Sequence, residues 1–226
     1  MDLSDMKQQP DRQITVVCFG DSNTWGWNPA NLLRYPKSIR WPDVLQDRLG
    51  PSFDVISEGL SGRTIEESVE RVFMNGSAAL PSVLGTNAPV DILIIMLGSN
   101  DCKYTQNESL DEIVQKMDWL LSLAETTCMD VQGFVPTIIL AVPPEIRDGV
   151  VNGWLNCEFD HTSVEKAKRL SALYQPLAGK HKCLFLAASG SVEISDIDGV
   201  HMSEAGHKQL AELVWNMVKE ASPTHI

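Results

Sequence analysis

The sequence predicts a doubly wound α/β fold, a parallel sheet sandwiched between two layers of helices. Three observations predict it. Five short apolar runs recur along 226 residues, helical spacing fills the intervals between them, and glycine- or serine-bearing turns follow three of the runs. Hydrophobicity that is continuous rather than alternating marks strands buried on both faces. Strands alternating with helices imply right-handed crossovers within one three-layer sandwich.

The runs at 14–19, 53–57, 91–97, 136–142 and 183–188 are the expected strands. Trp41, Val44, Leu45 and Leu49 fall on one helical face, and so do Ile65, Val69, Val72 and Phe73. Thr64-x-x-Glu67 and Ser109-x-x-Glu112 read as capping boxes opening the second and third helices. Leu110, Ile113, Met117, Leu120 and Ala124 line the core side of the third. Val164, Ala167, Leu170, Tyr174 and Leu177 line the fourth, with Pro176 close to its end. Ser203 caps a last helix that runs through Lys219 and buries His207, Leu210, Val214 and Met217. No repeat, low-complexity tract or linker divides the chain. Residues 1–226 therefore read as one domain, with 1–12 a flexible N-terminal segment.

Chemistry concentrates after the strands. The run Val16-Val17-Cys18-Phe19 stops at Gly20-Asp21-Ser22-Asn23, which places Ser22 at the carboxyl end of a central strand, where α/β sheets hold their sites. By itself Ser22 fits a helix N-cap as well as a nucleophile. The far end of the chain favours the nucleophile. Asp198-Gly199-Val200-His201 sets a carboxylate three residues from an imidazole across a glycine turn. Serine needs such a base, and the base needs a group to fix its tautomer. Glu58-Gly59-Leu60-Ser61-Gly62 and Leu97-Gly98-Ser99-Asn100-Asp101 also follow strands, and a glycine N–H with an asparagine amide suits an oxyanion.

These blocks resemble the SGNH subgroup of the GDSL esterase/lipase superfamily. Gly20-Asp21-Ser22-Asn23 is similar to its first block, Gly59 to the glycine of the second, Gly98-Ser99-Asn100-Asp101 to the third and Asp198-Gly199-Val200-His201 to the fifth. The wording Ser22-Asn23-Thr24-Trp25-Gly26 and Glu58-Gly59-Leu60-Ser61 resembles the arylesterase and acyltransferase branch. The resemblance implies a catalytic triad of Ser22, Asp198 and His201. It implies an oxyanion hole from the Ser22 and Gly59 N–H groups and the Asn100 side chain. It also favours the flavodoxin-like strand order 2-1-3-4-5. Two departures stand out: Asp-Ser-Asn where many members have Asp-Ser-Leu, and Ser57-Glu58 where an Asn often precedes the glycine. The activity implied is hydrolysis of short acetyl or aryl esters through an acyl-enzyme, with transfer to alcohols as a related outcome. A carbohydrate O-deacetylase or thioesterase with the same triad, and a non-catalytic binding protein on the same frame, stay open as alternatives.

Other features narrow the field. A net charge of −12 argues against nucleic acid or an anionic membrane as partner, and the resemblance implies a small-molecule ester as substrate. Five cysteines without C-x-x-C spacing, and His201 and His207 without a shared helix face, predict no metal and no cofactor. Cys18 and Cys183 read as small core residues, and free thiols suit the cytoplasm. The first ten residues lack the pattern of a signal peptide, and no apolar run approaches the roughly 20 residues needed to span a bilayer. His161, His181 and His225 read as surface residues, and Asp21 and Asp101 as holders of loops. Two long segments, 26–36 and 143–160, overhang the expected site. Trp25, Trp154 and Phe159 are expected to narrow the acyl pocket, the alternative being local packing or contact with a second subunit. Those loops and tryptophans point to a homo-oligomer, as the resembling branch often forms.

Overall fold

The structure is a computed structural model and describes residues 12–66 and 71–221. Five parallel strands form its sheet: β1 (Ile14–Gly20), β2 (Phe53–Gly59), β3 (Ile92–Met96), β4 (Thr137–Val142) and β5 (Leu184–Ala187). Their spatial order is β2-β1-β3-β4-β5, the expected 2-1-3-4-5. Register runs unbroken from Ile14 opposite Phe53 to Gly20 opposite Gly59, and Gly20 faces Met96 on its other side. Three strands therefore finish level with one another beside Ser22.

Alternate residues of β1 feed opposite layers, as the two-residue side-chain period requires. Val17 and Phe19 join Leu93, Ile95, Leu120 and Tyr174 beneath helices α3 (Gly76–Asn87), α4 (Leu110–Gln132) and α5 (His161–Lys180). Val16 and Cys18 join Trp41, Leu45, Leu210 and Val214 beneath α2 (Trp41–Leu49) and α6 (Glu204–Ala221). Each such side chain, taken out of water, contributes about 1.5–3 kcal/mol. Ser109 and Glu112 close the expected capping box on α4. The Ser203 hydroxyl accepts the Gly206 N–H at the start of α6. Val218 takes the buried place expected of Met217, which is half-buried.

The second helix differs from expectation. Thr64 bridges to Asn75, Ile65 donates its N–H to Asp101, and Val72 and Phe73 stand exposed in a single 3-10 turn. The helix starts instead at Gly76, where the Asn75 side chain accepts the Ala78 N–H. The Thr64 bridge and the Ile65 bond to Asp101 keep 64–66 out of a helix and outweigh the local helical pattern. Glu67 and Val69, which carried part of that pattern, lie outside the described residues. So do residues 1–11, most of the expected flexible segment, and His225.

Segment 26–36 carries a small antiparallel ribbon, Trp27–Asn28 against Leu33–Arg34, too short to show periodicity in sequence. Segment 143–160 holds two 3-10 turns, Asp148–Asn152 and Trp154–Cys157. His181 is a further correction: both ring nitrogens meet carboxylates of α4, Nε2 at 2.7 Å from Asp118 and Nδ1 at 3.0 Å from Glu125, and the side chain is nearly enclosed. His161 is exposed as expected, whereas Cys183 is half-buried rather than fully in the core. No helix among the described residues is long and apolar enough to cross a membrane.

Candidate active site

The turn after β1 is held by Asp21, whose carboxylate accepts the Asn23 N–H at 2.9 Å and caps the four-residue helix α1 (Ser22–Trp25). The cap is therefore Asp21, and Ser22 is the first helical residue, its hydroxyl free for other work. Burial pushes the Asp21 carboxyl upward, against the Asn23 bond and the charges of His201 and Arg63. Asn23 explains the Asp-Ser-Asn departure. Its Oδ1 accepts the Met202 N–H at 2.9 Å and its amide donates to the Val200 carbonyl at 3.4 Å. The nucleophile turn thus holds the histidine loop directly, which an apolar residue at this position could not do.

In that loop the backbone wraps around one carboxylate. Asp198 Oδ1 accepts the Val200 and His201 N–H groups, both at 3.0 Å, and Oδ2 lies 2.6 Å from His201 Nδ1. Burial raises the Asp198 carboxyl, but the His201 ring and those amides outweigh it and hold the group below its ordinary value. An ionised carboxylate only accepts, so the ring proton sits on Nδ1. His201 Nε2 is left to accept the Ser22 hydroxyl at 2.9 Å. The Trp27 ring stacks against the imidazole with centroids 5.6 Å apart.

The other wall is built from two loops. Asn100 is buried and donates one amide proton to the Arg63 carbonyl at 3.0 Å. Neighbouring Asp101 accepts the Ile65 N–H at 2.9 Å, as expected of a loop holder, and burial raises its carboxyl to about 7. A cavity of about 210 Å³ opens here, with Ser22, Gly62, Asn100 and His201 in its walls.

Two expected residues sit elsewhere. Gly59 is not among those lining the cavity: a Cβ on it would lie 2.1 Å from the Trp25 nitrogen, so its glycine serves close packing of β2 under α1. The cavity glycine is Gly62, at φ +83°, a left-handed conformation that favours glycine. Trp25 is likewise absent from the lining. It is half-buried under the Arg34 guanidinium at 5.1 Å, and Trp27 takes its place in the wall. Trp154 and Phe159 do line the cavity, the first half exposed at its rim and the second buried. The signal for Gly62 was present in Leu60-Ser61-Gly62-Arg63, a turn demanding a left-handed residue, while Trp27 had no signal separating it from Trp25. A larger depression of about 630 Å³ between 145–148 and 190–194 includes neither Ser22 nor His201. His207 is fully buried, its Nδ1 accepting the Trp41 N–H at 3.3 Å, and burial lowers it to about 3. Among the described residues no group of three or more His, Cys, Asp or Glu is arranged to hold a metal.

Comparison with known proteins agrees with this architecture. Residues 18–209 match the GDSL-like Lipase/Acylhydrolase family. Carbohydrate acetylesterase Est24 from Sinorhizobium meliloti is 34% identical, with 92% of this chain and 100% of that chain covered and a TM-score of 0.83. The M. smegmatis aryl esterase is 31% identical over 92% of this chain and 99% of its own, with a TM-score of 0.85. A curated relative, the uncharacterized lipoprotein YqeF of Bacillus subtilis (strain 168), is 33% identical over 86 residues. That match takes in 38% of this chain and about a third (31%) of the relative.

Proposed function

The chain belongs to the GDSL-like lipase/acylhydrolase family, and from that premise we propose that it is a serine ester hydrolase acting on short-chain acetyl or aryl esters. One observation carries the reading: the continuous chain from Asp198 Oδ2 through His201 to the Ser22 hydroxyl, at 2.6 and 2.9 Å. His201 Nε2 takes the Ser22 proton as the oxygen attacks the ester carbonyl, and Asp198 steadies the imidazolium. The oxyanion is held by the Ser22 N–H, the second Asn100 amide proton and the Gly62 N–H, which replaces the expected Gly59. His201 returns the proton to the departing alkoxide. A water then gives its proton to His201, attacks the acyl-enzyme, and releases the carboxylic acid and Ser22.

The cavity supports a small acyl group. About 210 Å³ between Trp27, Phe159 and the catalytic residues suits acetyl better than a long chain. Trp154, half exposed, also lines this cavity. A second reading, a sugar acetyl ester, is favoured by the likeness to the Sinorhizobium meliloti carbohydrate acetylesterase and by the polar Ser61, Ser99 and Lys103 in the wall. Hydrolysis and transfer share the acyl-enzyme and differ only in whether water or an alcohol arrives. The free cysteines fit a cytoplasmic location.

Ser22→Ala tests the assignment. Turnover of 4-nitrophenyl acetate should fall by on the order of 10⁶-fold, as for other Ser-His-Asp hydrolases, with an unchanged thermal melt. Parent-like turnover in this variant would sink the reading. Acetate, butyrate and octanoate esters, run beside acetylated sugars, then separate the substrate classes, and an undiminished octanoate rate refutes the small pocket.

A further inference from the structure

The second departure from the family's wording, Ser57-Glu58 ahead of the glycine, leaves open what braces the loop carrying Gly62. The nearest charged side chain in that loop is Arg63, and it is 5% exposed. Its Nη1 donates to the Gly20 carbonyl at 3.0 Å and also to the Glu58 carbonyl. Gly20 is the last residue of the nucleophile strand, and Glu58 is the penultimate residue of β2. The guanidinium lies over the Phe19 ring at 4.2 Å. The Arg63 backbone carbonyl in turn accepts the Asn100 amide at 3.0 Å. One residue therefore touches the strand that leads to Ser22, the strand that leads to Gly62, and the side chain of Asn100.

The strands do not need this arginine in order to pair. Gly20 already faces Gly59 in register, and the Leu60 N–H reaches the Gly20 carbonyl at 3.1 Å. What the guanidinium adds lies beyond the strand ends, where the chain turns back from Glu58 to Arg63 and carries Gly62 at its left-handed corner. A buried cation is costly, and an apolar side chain of similar size would fill the space without the cost. It would not tie two carbonyls together. Burial lowers the guanidinium to about 10, with Glu58 and Asp21 opposing, so the group stays cationic at neutral pH.

We infer that Arg63 is a positioning residue that sets the Gly62 and Asn100 donors against Ser22, an inference that rests on the serine hydrolase reading. The two protons of one nitrogen, aimed in fixed directions by the planar guanidinium, hold both carbonyls, whereas a lysine offers a freely rotating point charge and a neutral amide less still. Misplacing donors by a fraction of an ångström weakens the transition state more than the bound ester, because the oxyanion exists only after attack.

The test uses the full chain with Arg63→Gln and Arg63→Lys. Labelling of the parent at Ser22 by a fluorophosphonate comes first, since absence of labelling sinks the Ser22 reading itself. The same label counts active sites in each variant. Per labelled site, Arg63→Gln should lose about 10- to 100-fold in kcat on 4-nitrophenyl acetate while KM moves less than about threefold. Phenylboronic acid adds to the serine oxygen as a tetrahedral anion, and its inhibition constant should rise by the same factor. Inhibition by acetate should not change. Arg63→Lys should fall between parent and Arg63→Gln in both readouts. Parent-like kcat in Arg63→Gln, or a kcat loss with unaltered boronic acid inhibition, overturns the inference while leaving the Ser22 reading intact. If Arg63→Gln does not fold, Arg63→Lys decides: a joint loss in kcat and boronic acid affinity supports the role, and parent values in either overturn it.

Discussion

The two walls of the site are built on different principles. On the histidine side, both oxygens of Asp198 and both ring nitrogens of His201 have partners within the protein. On the oxyanion side the contacts run between loops remote in the chain, Asn100 donating to the Arg63 carbonyl and Asp101 accepting the Ile65 N–H. The first arrangement fixes a proton path that must not vary between turnovers. The second sets donors around a charge that appears only during reaction.

Changes on the histidine wall should cost most. Asp198→Asn preserves shape but stabilises the wrong imidazole tautomer, and kcat should drop about 10⁴-fold with a parent-like melt. A loss confined to tenfold would mean that the backbone wrap, rather than the charge, does the orienting. On the oxyanion wall Asn100→Ala should cost about 100- to 1000-fold in kcat with a smaller change in KM. Equal losses on both walls would erase the contrast drawn between them.

The two glycines sharpen it further. Gly59→Ala drives a Cβ into the Trp25 backbone at 2.1 Å and should lower the melting temperature markedly, with kcat per folded molecule kept. Gly62→Ala meets only the flexible end of Met74, at 2.8 Å, and its φ of +83° carries about 1 kcal/mol of strain. Its melt should therefore move less than that of Gly59→Ala. A reversed order of the two melts would count against Gly59 as a packing residue.

The smallest effect on turnover belongs to His207, which lies behind the histidine wall. Its folded value of about 3 is depressed from 6.5 by burial, then by the charges of His201 and Arg40. Between those values the unfolded chain binds more protons than the folded one. Stability is therefore complete above about pH 6.5 and falls as pH drops toward 3, by about 2 kcal/mol at pH 5. Asp101, raised to about 7, contributes with the opposite slope between about pH 4 and 7. Comparing denaturant midpoints at pH 5 and 7.5 for the parent and His207→Asn isolates the histidine, since Asp101 is common to both. An equal pH 5 loss in the variant would show that His207 is not the acid-sensitive group.

Local chemistry was legible where neighbours in sequence are also neighbours in space. The buried runs, the Ser109 box, the Ser203 cap and the Asp198-to-His201 turn each complete themselves within a few residues. Reading failed where a distant residue had the deciding contact. Asp101 captures Ile65 and keeps 64–66 out of a helix, and the carboxylates of α4 enclose His181. The ribbon at 27–34 swings Trp27, and not Trp25, into the cavity wall.

The sequence by itself determined the layers, the strand ends and the residue types at the rim, because hydrophobic periodicity and capping act over one or two turns of chain. Only the tertiary structure decided that Gly62 rather than Gly59 reaches the cavity, that Asn23 holds the histidine loop and that Arg63 spans two strand ends. Those outcomes depend on contacts and hydrogen bonds between loops that the sheet brings together and that are remote in the chain. Such bonds follow from the sheet's register and leave no local pattern in the sequence.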